Sequence, residues 1–87
     1  MTTITAFHTM TFQEKCDVIT FSAAYLMHRT VGETKVFLYH AGGFYIEIFY
    51  SSKSAMVLMM NAFDNASGLE PYLDAISLSG LKEVVGW

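Results

Sequence analysis

The chain has 87 residues, of which 53% are hydrophobic, 15% aromatic and only 15% charged, and its net charge is −3. A chain this short forms one small domain and buries roughly 60–65% of its unfolded surface, so its interior is thin. Its five basic residues, Lys15, Arg29, Lys35, Lys53 and Lys82, are scattered, which argues against the clustered basic face that nucleic acid or an anionic membrane surface requires.

A charge-poor, aromatic-rich chain of this size carries more apolar surface than its own interior can hide, and large exposed apolar patches mark interfaces. The single cysteine, Cys16, allows no internal disulfide and is expected as a buried, inert thiol on a helix. The start, Met1-Thr2-Thr3-Ile4-Thr5, lacks the basic start and apolar block of a secretory signal, and no apolar run approaches the ~20 residues needed to cross a bilayer. A cytoplasmic protein is expected.

In chain order, Ile4, Phe7 and Met10 are spaced by three, consistent with one helical turn or a packed arm. Thr11-Phe12-Gln13-Glu14 has the form of a capping box. Phe12, Cys16, Ile19, Ala23 and Leu26 follow at helical spacing, which predicts a helix over 12–28. Strands are expected at 35–41, 44–51 and 55–62, joined at Gly42-Gly43 and Ser51–Ser54. A second helix is expected from about Leu69 to Leu78, with Pro71 in its first turn and Gly80 beyond its end. The tail from Lys82 to Trp87 reads as a docking arm or a short extra strand. The fold class expected is α+β: a two-layer sandwich of helix, three-stranded antiparallel β-meander and helix, with residues 1–87 in one domain.

The strands are apolar on both faces, whereas a sheet with one wet face alternates apolar with polar. With two helices at most to cover it, one face is expected to meet something outside the monomer. A three-residue loop, Ala41 to Gly43, would pair His40 with Phe44 and Leu38 with Ile46. Val36, Leu38, Ile46 and Ile48 then share an aliphatic face, opposite Phe37, Tyr39, Tyr45, Glu47 and Phe49. A two-residue loop would mix these sets, because a one-residue slip flips every side chain. The segregated register makes Phe37, Tyr39, Tyr45, Glu47 and Phe49 the candidate interface.

Little else carries chemistry. His8, His28 and His40 lie far apart in sequence, so no metal or other cofactor is expected. His28 is expected near a helix end, beside terminal carbonyls. Tyr39, His40 and Tyr45 could line a small-molecule pocket. Glu47, the lone acid in the strands, is expected either to face solvent or to pair with Lys35 or Lys53. Asn61, Asp64, Asn65, Ser67 and Glu70 lack the spacing of a calcium loop and read as turn and capping residues. Helix, three strands and helix resembles, in element order, the first part of secretion-chaperone-like domains, which are small, acidic and dimeric; the resemblance implies an adaptor. The function expected is a non-enzymatic module for homodimerisation or another protein contact. A small-molecule binding protein and a secretion-chaperone-like adaptor are the alternatives.

Overall fold

The computed structural model describes residues 2–73, so the tail from Lys82 and the end of the second expected helix lie outside the described residues. Two helices, α1 (Ile4–His8) and α2 (Phe12–Ser22), precede four strands: β1 (Ala24–Val31), β2 (Thr34–Ala41), β3 (Phe44–Ser51) and β4 (Met56–Phe63). The strands form one antiparallel sheet in the order β1-β2-β3-β4. A 3-10 turn, Ala66–Leu69, follows, and residues 70–73 continue as helix. The class is α+β, with four strands in place of the three expected.

Both helix starts are fixed by local hydrogen bonds. The Thr3 hydroxyl accepts from the Ala6 N–H at 3.1 Å. The Thr11–Glu14 capping box is present in full: Thr11 Oγ1 accepts from the Glu14 N–H at 3.2 Å, and the Thr11 N–H donates to Glu14 Oε1 at 2.9 Å. Two orphan donors of the first turn are thereby satisfied.

The expected helix over 12–28 ends at Ser22, and residues 24–31 form a strand. Tyr25, Leu26 and Met27 are apolar all round the helical wheel, so their periodicity does not distinguish helix from strand. The decision comes from pairing. Val31 faces Thr34 across a two-residue turn, Gly32-Glu33, in which Gly32 takes φ 61°, and β1 then runs back along β2. His28 consequently lies in β1 rather than at a helix end.

The β2–β3 hairpin also differs from expectation. Ala41 pairs with Phe44, His40 with Tyr45 and Leu38 with Glu47, so the loop is the two-residue Gly42-Gly43, with Gly42 at φ 71°. Glycine tolerates that positive φ without steric cost, which lets the tighter turn form. The slip of one residue mixes the two expected faces. Phe37, Tyr39, Phe44, Ile46 and Ile48 share one side, while Val36, Leu38, Tyr45, Glu47 and Phe49 share the other.

Each side is covered by a different part of the chain, so the layers number more than two. Phe7 of α1 and Ile19 of α2 pack with Ala41, Phe44, Ile46 and Ala62 on the first side. The Phe7 and Phe44 rings meet at 5.6 Å between centroids, and Lys15 Nζ lies 5.4 Å from the Phe7 centroid. On the second side Tyr72 packs with Val36, Leu38 and Phe63, flanked by Leu69, Met27, Tyr45 and Phe49. Burying a side chain such as Leu38 or Phe44 contributes about 1.5–3 kcal/mol, and these two small clusters hold the fold.

The outer strands each carry an irregularity, at Leu26 in β1 and Leu58 in β4. Such bulges twist a strand edge away from easy pairing. At the far end of the sheet, the Ser52 N–H and hydroxyl both donate to the Glu33 carbonyl, at 3.0 and 2.8 Å, tying the two outer turns together.

After β4 the chain turns tightly against the sheet. Asn65 Oδ1 accepts from the Gly68 N–H at 3.1 Å, and a Cβ at Gly68 would run into the Phe63 ring. Gly68→Ala is therefore expected to cost about 1–3 kcal/mol through overpacking, read as a lower urea midpoint with an unchanged m-value.

Candidate functional site

Two groups of side chains stand out, one on each face of the sheet. The first is an aromatic ladder on the side that carries the helices. The register places Tyr25 beside Tyr39, and His28 beside Phe37. Their rings make a continuous series: Tyr25–Tyr39 at 5.6 Å, Tyr25–Phe37 at 6.5 Å, His28–Phe37 at 5.8 Å and Phe37–Tyr50 at 6.4 Å between centroids. Tilted and edge-to-face contacts of this kind add about 0.5–1.5 kcal/mol per pair beyond area burial. The Tyr25 hydroxyl and His28 Nδ1 are hydrogen-bonded at 3.0 Å.

The ladder lies toward the Gly32 end of the sheet, whereas α1 and α2 pack around the Ala41–Phe44 end. Phe37, Tyr39 and Tyr50 are half-buried and His28 is exposed, while Tyr25 is 52% exposed. Lys35, opposite Tyr50, is the charged residue that the β2–β3 register adds to this side.

The second group is a polar cluster on the opposite side, in which Glu47 and Tyr72 are buried, Arg29 half-buried and Asn61 exposed. Glu47 is 5% exposed. Its Oε2 accepts from the Tyr72 hydroxyl at 2.6 Å, and its Oε1 accepts from Asn61 Nδ2 at 2.9 Å. Arg29 Nη2 lies 3.6 Å from Oε2, and the guanidinium sits 5.2 Å from the Tyr72 ring centroid. Burying a carboxylate is costly unless it is paired and hydrogen-bonded, and Glu47 is both. Burial pushes the Tyr72 phenol well above its ordinary range; the bond to Glu47 adds to the rise, and Arg29 opposes it.

The structure divides the residues that the sequence put together. Phe37 and Tyr39 belong to the ladder, while Tyr45, Glu47 and Phe49 lie on the other side, where Tyr45 and Phe49 border the Tyr72 core. Glu47 neither faces solvent nor pairs with a lysine: Lys35 is on the opposite side of β2, and the cationic partner is Arg29. Of the proposed pocket residues, the His40 and Tyr45 rings meet at a tilt, 4.9 Å between centroids, and Tyr39 lies on the other side of the sheet. His40 and Glu47 therefore share a side, contrary to expectation. Arg29, Asn61 and Tyr72 reach Glu47 from β1, β4 and the segment after β4, and nothing in their sequence spacing signals that they meet. Cys16 is half-buried on α2.

Among the described residues, no three His, Cys, Asp or Glu side chains gather where a metal could sit, and no helix is long and apolar enough to cross a membrane. A groove of about 530 Å³ runs between Thr2, Val18, Ser22, Ala41 and Gly42, none of which is a residue of the sequence-derived pocket. Neither a family model, nor a curated protein, nor a solved structure matches the chain. The element order behind the resemblance to secretion-chaperone-like domains is not the one observed, since two helices and four strands replace one helix and three strands.

Two outcomes follow from the Glu47 cluster. Glu47→Ala leaves Arg29, Asn61 and Tyr72 without their shared partner and is expected to cost about 3–5 kcal/mol, measured by urea unfolding. The Tyr72 phenol holds its proton more tightly when folded, so its stabilisation is fully present below pH ~10 and is lost as pH rises above it. In denaturant titrations at stepped pH, Tyr72→Phe should remove one proton's share of that alkaline slope, about 1.4 kcal/mol per pH unit.

Proposed function

We propose that this protein is a non-enzymatic interaction module that forms a homodimer through the aromatic ladder. The observation carrying this reading is the continuous series Tyr25, His28, Phe37, Tyr39 and Tyr50 on a sheet face that the helices cover at its other end. Tyrosine and phenylalanine are enriched at interface centres, where they supply large contact area at low entropic cost. The β2–β3 register puts no acid on this side and adds one lysine, Lys35. A face with so little charge does not select a partner of opposite charge. A second copy, related by a two-fold axis, sets apolar against apolar and needs no other complementarity.

The contact surface thus differs from the five residues expected from the sequence. Phe37 and Tyr39 stay in it, while Tyr45, Glu47 and Phe49 pass to the opposite core. A cytoplasmic setting and a protein partner rather than nucleic acid or membrane belong to the same proposal. A small-molecule binding protein is the second reading. The groove at Thr2, Val18, Ser22, Ala41 and Gly42 supports it in place of Tyr39, His40 and Tyr45.

Sedimentation velocity at tens of micromolar should show a dimer; a monomer there rejects the proposal. Tyr25→Asp, at a position already 52% exposed, should weaken association by about 30-fold or more. Phe21→Asp, on α2 at an 81% exposed position, should leave association unchanged.

A further inference from the structure

The cluster at Glu47 has a consequence for how the chain after β4 is held. Tyr72 is fully buried, yet its neighbours Glu70, Pro71 and Leu73 are exposed and Leu69 is half-buried. The segment from Ala66 to Leu73 therefore rests on the sheet through one fully buried side chain, Tyr72, with Leu69 and the Gly68 backbone against the sheet beside it. The tip of that side chain meets a carboxylate rather than hydrocarbon, at 2.6 Å. Beneath it lie Val36, Leu38 and Phe63, flanked by Tyr45 and Phe49.

The other partners of Glu47 do not belong to this segment. Asn61 is in β4 and Arg29 in β1, so both stay beside the carboxylate if the segment lifts. Water can then replace the Tyr72 hydroxyl without leaving Glu47 unpaired. Opening costs one charge-assisted hydrogen bond and the contacts of Tyr72 and Leu69, far less than separating strands. A fully apolar anchor would pack at least as stably; the polar tip makes the docking specific and separable from the rest of the core.

We propose that the Tyr72 hydroxyl and the Glu47 carboxylate form a latch that holds residues 66–73 as a strap over the Val36–Leu38–Phe63 face of the sheet. The strap pivots at Asp64-Asn65, just after β4. When it lifts, it uncovers an apolar face with a hydrogen-bond acceptor, Glu47, at its centre. This face is opposite the aromatic ladder, so the latch stands apart from the proposed dimer contact.

Thiol labelling of the full chain tests it. In a Cys16→Ser background, Leu38→Cys places a thiol under the strap and Ile46→Cys places one under the N-terminal helices; both parent side chains are at most 1% exposed. Adding Tyr72→Phe removes only the hydroxyl. The expected result is labelling at position 38 faster by roughly tenfold, with position 46 unchanged. No acceleration at 38, or equal acceleration at both positions, overturns the latch. If either cysteine prevents folding, methyl NMR of the otherwise unaltered chain makes the same comparison. Tyr72→Phe should then shift Val36 and Leu38 and spare Ile46, and uniform or absent shifts overturn the proposal.

Discussion

Most of this structure depends on the register of one hairpin. The turn between β2 and β3 is Gly42-Gly43 and no longer, so Ala41 faces Phe44 and Leu38 faces Glu47. Each pair along the two strands follows from that closure, because side chains alternate between faces with a period of two. Phe44 and Ile46 thereby meet Phe7 and Ile19 of the N-terminal helices, and Glu47 turns into the opposite core. One further residue in the loop would exchange these sides of β3, turning the Glu47 carboxylate toward α1 and α2 and away from Arg29 and Asn61.

Glu47 then organises what surrounds it. Three segments of sequence converge on its carboxylate: Arg29 from β1, Asn61 from β4 and Tyr72 from beyond the sheet. A buried charge is stable only where such partners are in place, so the outer strands and the segment after β4 are joined through one side chain. The apolar packing of Val36, Leu38 and Phe63 supplies area, but it is indifferent to angle and sliding. Directional bonds to Glu47 give that side of the sheet a definite arrangement.

The two faces consequently differ in kind. The face under the helices grades from a packed cluster at Phe7 and Phe44 to a half-exposed ladder at Tyr25 and Phe37. The opposite face is closed by Tyr72 over a polar centre. The excess of apolar residues in a chain of 87 is thus only partly resolved among the described residues. It remains at the ladder and on exposed residues of the outer strands, among them Leu26, Met56, Leu58 and Met59.

Much of the local structure was legible in the sequence. The Thr11–Glu14 capping box, the turn at Gly42-Gly43 and the two central strands depend on neighbours a few residues away, and their signals are local. The mixed α+β class follows from those elements. The end of α2 and the existence of β1 were not legible, because Tyr25, Leu26 and Met27 suit either period and only pairing with β2 selects the strand. The partners of Glu47 were hidden for a different reason, their separation along the chain. Arg29, Asn61 and Tyr72 stand 18, 14 and 25 positions from it, and nothing in their spacing announces that they meet. The sequence by itself determined that both faces of the sheet are apolar and that a lone acid lies among the strands. Only the tertiary structure decided which face buries that acid and what holds it there, since a turn shorter by one residue reverses every assignment downstream.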